Sequence, residues 1–138
     1  MKGNLVTLAG LTNSTTGSVI LTGQFSLQRV TTITVPQGMK LKIYRFAASG
    51  NAINAQLLFT PNINASNPTW YPIEQIAMSA AGDDIHEYRA RPIVIYGELG
   101  TEAITVYYEG GTGEATLSGI PTIISLTFEL TDQDDKEE

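Results

Sequence analysis

Thr31-Thr-Ile-Thr-Val35, the break Pro36-Gln-Gly38, and Met39-Lys-Leu-Lys-Ile-Tyr-Arg-Phe46 form the stretch that decides the fold. In both runs polar and apolar residues alternate. Alternation with period two places apolar side chains on one face of a strand and polar ones on the other. Pro-x-Gly between them is turn chemistry: Pro presets φ and Gly supplies a positive one. The predicted unit is therefore two strands joined by a tight reversal. Within the second run the apolar set slips from Met39, Leu41 and Ile43 to Tyr44 and Phe46, which predicts a β-bulge.

The same texture extends outward in both directions and gives eight strand candidates. They are 18–22, 25–35, 39–47, 53–59, 70–78, 85–96, 102–109 and 122–131. In the run from Phe25 to Val35, Arg29 and Thr31 share the parity of Phe25, Leu27, Ile33 and Val35, so a bend or a change of sheet is expected midway. Pro92 interrupts the run from Ile85 to Tyr96 and marks an edge or a bulge. Gly110-Gly-Thr-Gly113 reads as a hairpin tip. Eight strands with turns every 8–12 residues predict an antiparallel β-sandwich, with a jelly roll as the first architecture and an immunoglobulin-like sandwich as the alternative. The organisation expected is one sandwich domain over residues 1–131, with 1–17 as an N-terminal arm and 132–138 as an acidic disordered tail.

Composition narrows the function mainly by exclusion. The chain has 138 residues and a net charge of −6, yet only 16% of its residues are charged, against about 25% in ordinary soluble proteins. Thr is the commonest residue, so much of the polar surface is hydroxyl. Such a surface desolvates with little penalty and suits coverage by another subunit. Five acids and one Lys crowd into Asp132–Glu138, a pattern typical of solvated tails. Four Lys and four Arg are scattered, which argues against nucleic acid as a partner. The absence of Cys excludes disulfides and thiolate chemistry. Asn4 and Thr7 interrupt the weakly apolar N-terminus, a poor signal peptide, and no run approaches the roughly 20 apolar residues of a membrane span.

Four constellations bear on chemistry. The loop from Thr60 to Pro72 has three Pro, three Asn (Asn62, Asn64 and Asn67), no charge and the only Trp. Trp70 and Tyr71 there offer aromatic surface to a protein partner or a sugar ring; the bland reading is a Trp that plugs the end of the sandwich. Asp83 and Asp84 are weak calcium candidates, since carboxylate oxygens suit that ion, but Gly82-Asp-Asp is also an ordinary turn. No other metal ligand set and no cofactor are expected, and His86 is the only base available to a hydrolytic triad. Glu98, Glu102, Glu109 and Glu114 near strand ends read as solvated edges rather than a glycosidase pair. Arg89 and Arg91 share parity and read either as a carboxylate clamp or as a solvent-facing pair. The expectation is a protein that is not an enzyme.

With these strands, the hydroxyl- and amide-rich surface and the Val35-Pro-Gln-Gly-Met39 turn, the chain resembles small viral jelly-roll proteins: capsid, vertex and capsid-decorating subunits. The resemblance lies in texture over residues 18–131 and carries no residue-level motif. It implies a virion protein that associates with itself, as a trimer first of all, and docks on a larger protein shell without membrane or nucleic acid. The alternative is a carbohydrate-binding or adhesion module using Trp70 and Tyr71.

Overall fold

The computed structural model describes residues 5–11, 16–18, 21–23, 29–30, 32–50, 53–80, 82–88, 90–110 and 123–134. Among them are twelve strands and no helix: β1 (Leu5–Leu11), β2 (Thr16–Ser18), β3 (Leu21–Gly23), β4 (Arg29–Val30), β5 (Thr32–Thr34), β6 (Met39–Gly50), β7 (Ile53–Thr60), β8 (Tyr71–Met78), β9 (Gly82–Glu87), β10 (Ile93–Tyr96), β11 (Ala103–Gly110) and β12 (Ile123–Asp132). They form two antiparallel sheets. One runs β10-β6-β12-β1-β3-β4, with β9 also paired to β6; the other runs β2-β11-β7-β8, with β5 also paired to β11. From β6 onward the chain passes back and forth between the sheets, the jelly-roll arrangement of a β-sandwich.

The deciding stretch folds as its alternation requires. Met39 N–H bonds Pro36 O at 3.1 Å, closing a turn in which Gly38 has φ +84; a type II turn needs that positive value. The expected bulge is present: Thr127 of β12 faces Arg45 while Phe128 faces Ile43, leaving Tyr44 as the extra residue. At this point β6 also exchanges partners, pairing with β9 up to Arg45 and with β10 from Ile43. Tyr44 O accepts the Tyr88 N–H at 2.8 Å between the two. The predicted strand 85–96 is thus two strands, broken around Pro92. The run 25–35 also changes sheets as expected, since β4 pairs β3 in one sheet and β5 pairs β11 in the other.

One core lies between the sheets. Leu41, Ile43 and Phe46 of β6 and Ile124, Leu126 and Phe128 of β12 meet Ala55 and Leu57 of β7, Ile76 of β8 and Ile104 and Val106 of β11. Val35 and Ile95 are buried with them, and Ile33 and Phe59 pack against the cluster. Burying several such side chains, at about 1.5–3 kcal/mol each, is what pins strand register here. Lys40 and Lys42, on the outer face of β6, are nearly covered rather than solvated, with Lys42 Nζ 3.8 Å from Glu129 Oε1. β6 is flanked on both sides, so their aliphatic stems lie over sheet.

Three expectations are corrected. Leu5–Leu11, within the expected N-terminal arm, is strand β1, paired residue for residue with Glu129–Ile123 of β12. Gly82-Asp-Asp is not a turn but the start of β9. The acidic tail does not begin at 132: Asp132 closes β12, and the Gln133 amide donates to Met39 O and Gly97 O, both at 3.3 Å. Residues 135–138 lie outside the described set, as do Arg89, Gly111–Gly113 and Glu114.

Candidate interaction surface

The loop from Thr60 to Pro72 leaves β7 and enters β8 held by backbone and hydroxyl contacts. Asn64 N–H bonds Asn62 Oδ1 at 3.0 Å, an Asx turn, and Ala65 N–H reaches Asn62 O at 3.3 Å. Asn62 N–H bonds Thr60 Oγ1 at 3.4 Å. The loop is also fastened to the segment before β11: Ile63 N–H bonds Thr101 O and Thr101 Oγ1 donates to Pro61 O, each at 2.9 Å. Asn62, Asn64 and Asn67 are exposed, Trp70 is half-buried, and Tyr71 is 52% exposed at the first position of β8. The candidate residues therefore share one loop, but Tyr71 offers more surface than Trp70.

Glu102 organises the segment that holds this loop, and the sequence reading missed it. Instead of a solvated edge, it is buried. Its carboxylate takes the N–H of Glu98 at 3.0 Å, Leu99 at 3.2 and 3.3 Å, Gly100 at 3.1 Å and Thr101 at 3.2 Å. Gly100 has φ +81, which lets the turn aim consecutive N–H groups inward. Burial opposes ionisation of Glu102, but the gathered N–H donors outweigh it and hold the carboxyl below the usual range. The same end is closed by Val35 N–H on Glu102 O at 2.8 Å and by paired Gly38–Gly97 and Gly97–Met39 bonds. A Cβ at Gly97 would lie 2.0 Å from Pro36 O, so only Gly fits. Leu99, at the tip, is 72% exposed.

A second polar cluster joins the sheets where β8 and β9 meet. Tyr88 Oη donates to Glu74 Oε2 at 2.5 Å, and Gln75 N–H reaches Glu74 Oε1 at 2.9 Å. His86 Nδ1 lies 3.2 Å from Glu74 Oε1 and its Nε2 3.3 Å from Asp84 Oδ2. Burial again opposes ionisation of Glu74; the Tyr88 hydroxyl, the Gln75 N–H and His86 outweigh it and lower the carboxyl. Burial and the Glu74 charge push the Tyr88 hydroxyl up, so it stays a donor.

Asp83 and Asp84 do not converge. Successive strand residues point to opposite faces: Asp83 accepts from Ser49 Oγ, while Asp84 turns to His86. Among the described residues no group of three His, Cys, Asp or Glu side chains is placed to hold a metal. Glu98 is exposed, and Arg91 is exposed while Arg89 lies outside the described set. The outer face over β9, β6 and β12 holds an open depression of about 290 Å³, lined among others by Arg45, Ala47, Ser49, Asp83, Ile85 and Ile123. Ile85 and Ile123 are each about half exposed there. Among the described residues no helix is long and apolar enough to cross a membrane.

No protein-family model matches the chain, and no curated protein matches it in sequence. Among solved structures it is similar to the globular domain of zebrafish complement 1qA protein, at 13% identity and a TM-score of 0.46, covering 91% of this chain and 96% of that one. It is also similar to a mitogen derived from Yersinia pseudotuberculosis, at 15% identity and a TM-score of 0.27, covering 78% and 86% respectively.

Proposed function

We propose that this protein is a non-enzymatic structural subunit that associates with itself, as a trimer first of all, and docks on a larger protein shell of the kind viral capsids present. The observation that carries the reading is the 60–72 loop: charge-free, fastened at Pro61 and Ile63 to the Thr101 segment, and ending on an exposed Tyr71. A loop already held in shape loses little entropy on binding, and an exposed aromatic on it is the residue type that dominates contact energy. Ile85 and Ile123 on the outer sheet face add apolar surface that a second copy would cover. Stable contacts of this kind bury roughly 800 Å² per partner. The trimer and the virion setting come from the resemblance to small viral jelly-roll subunits.

A second reading, a carbohydrate-binding or adhesion module, is favoured by the exposed amides of Asn62, Asn64 and Asn67 on the loop that leads to Tyr71. Tyr71→Ala separates the two readings, since an exposed ring is removed at little cost to folding. Solution mass by analytical ultracentrifugation and binding to a glycan array are measured for both forms. A wild-type oligomer that falls to monomer in Tyr71→Ala supports the structural subunit. A wild-type monomer that binds sugar, and loses it in Tyr71→Ala, replaces it with the module.

A further inference from the structure

Glu102 is an unusual acid for a strand end. Its side chain is buried, and four consecutive backbone N–H groups, from Glu98 to Thr101, converge on its two oxygens. The last of those residues, Thr101, is the one that bonds the neighbouring loop, through its carbonyl to Ile63 N–H and through its hydroxyl to Pro61 O. The carboxylate, the 98–101 turn and the 60–72 loop thus form one continuous chain of hydrogen bonds. Nothing else in the described structure bonds the N–H groups of Glu98, Leu99 and Gly100, so their alignment depends on a single ionised group.

We infer that Glu102 is an acid-releasable latch: its ionised carboxylate shapes the 98–101 turn, and through Thr101 it sets the conformation of the 60–72 loop. This rests on the reading of that loop as the contact surface. Glu102 is a positioning residue, since it touches no partner and acts through Thr101. Protonation removes acceptor capacity from one oxygen and adds a donor where four donors already converge, so the turn opens. The segments around Glu102 bring few titratable groups: 34–38 is Thr-Val-Pro-Gln-Gly and 60–63 is Thr-Pro-Asn-Ile. Glu98 is in its own turn and exposed, β6 and β10 bring Lys40 and Tyr96, and the C-terminal segment that joins this end through Gln133 brings Asp132 and Asp134. The lowered ionisation range of Glu102 keeps the latch shut in mild acid and places its release below the ordinary carboxylate range.

The test is residue-resolved hydrogen exchange on the wild type, Glu102→Gln and Glu102→Ala, with and without added formate. The amides of Glu98 to Thr101 report the turn, Ile63 reports the loop, and Tyr88, bonded to Tyr44 O, reports the rest of the fold. In both variants the turn and Ile63 are expected to lose protection together while Tyr88 keeps it. In Glu102→Ala, formate in the vacated site restores both, and chloride at equal ionic strength does not. Ile63 keeping its protection while the turn loses it overturns the latch, as does an unchanged turn. Should Glu102→Ala not fold, the Gln variant and the wild type in strong acid give the same readout. Exchange is read on the chain whatever its oligomeric state, so failure of the assembly reading does not imitate failure of the latch. A wild-type oligomer that stays intact in Glu102→Gln with both segments unprotected supports the latch and overturns the reading of the 60–72 loop as the contact surface.

Discussion

Glu102, just before β11, and Glu74, in the middle of β8, are both held below the usual carboxylate range, by different partners. Glu102 is surrounded by main chain: among the described residues, every donor on its carboxylate oxygens is a backbone N–H of its own turn. Glu74 relies on side chains from elsewhere, the Tyr88 hydroxyl and His86, with one local N–H from Gln75. The first arrangement is short-range in sequence and closed to solvent. The second ties two sheets together and is about a quarter exposed. A charge held by backbone dipoles in a buried turn cannot be replaced by a rotamer change or by salt. A charge held by partly exposed side chains can be, so the two sites respond differently to mutation, pH and ionic strength.

The largest effect is expected from Glu102→Ala, which strands several N–H groups and costs about 2–4 kcal/mol in denaturant unfolding. A loss under about 1 kcal/mol would mean that water satisfies the turn as well as the carboxylate does. Acid titration comes next. Both carboxyls ionise more readily folded than unfolded, so each adds stability that is fully present above the ordinary carboxylate range and is lost as pH falls through the folded value. Stability measured against pH should therefore decline in acid, less steeply in Glu102→Gln and only slightly less steeply in Glu74→Gln. Equal slopes in the two variants would erase the contrast between the buried and the partly exposed site.

Tyr88→Phe removes the hydroxyl from Glu74 and should cost about 1 kcal/mol by thermal melting, reduced from the value of a buried charged bond by solvent access. A loss as large as that of Glu102→Ala would show the inter-sheet link to be worth more than its exposure suggests. The smallest effect is that of salt. Raising NaCl to about 0.5 M should change the stability contributed by the partly exposed Glu74 cluster by no more than about 0.5 kcal/mol, and leave the Glu102 turn unaffected. The comparison of wild type with Tyr88→Phe and Glu102→Gln in both salts reads this directly.

Much of the fold was legible along the chain because alternation is a local signal. The parity of Leu41 and Ile43 slipping to Phe46 announced the bulge at Tyr44, and the shared parity of Arg29 with Ile33 announced the change of sheet between β4 and β5. β1 was not legible: Leu5-Val-Thr-Leu-Ala-Gly-Leu11 alternates poorly, and its strand state comes from docking along β12. Gly82-Asp-Asp has turn composition but is drawn into β9 by pairing with β6. The loop carrying Asn62, Asn64, Asn67, Trp70 and Tyr71 was visible as an uncharged Pro- and Asn-rich break. That Tyr71 rather than Trp70 is the exposed ring depends on how β8 enters its sheet.

By itself the sequence determined the class of the molecule: an all-β chain with its apolar positions assigned to one face of each strand and turns where Pro and Gly demand them. That information is carried by neighbours two residues apart, which backbone geometry reads directly. What only the tertiary structure decided is which acids are buried and what holds them. Glu98 and Glu102 are four residues apart and equally acidic in composition, yet one is solvated and the other closed in its turn with Gly100 at positive φ. Likewise, Glu74, His86 and Tyr88 meet only because β8 and β9 are brought together from different sheets. Local pattern encodes which face of a strand a residue occupies; the partners of a charge depend on which segments the packed core brings alongside it.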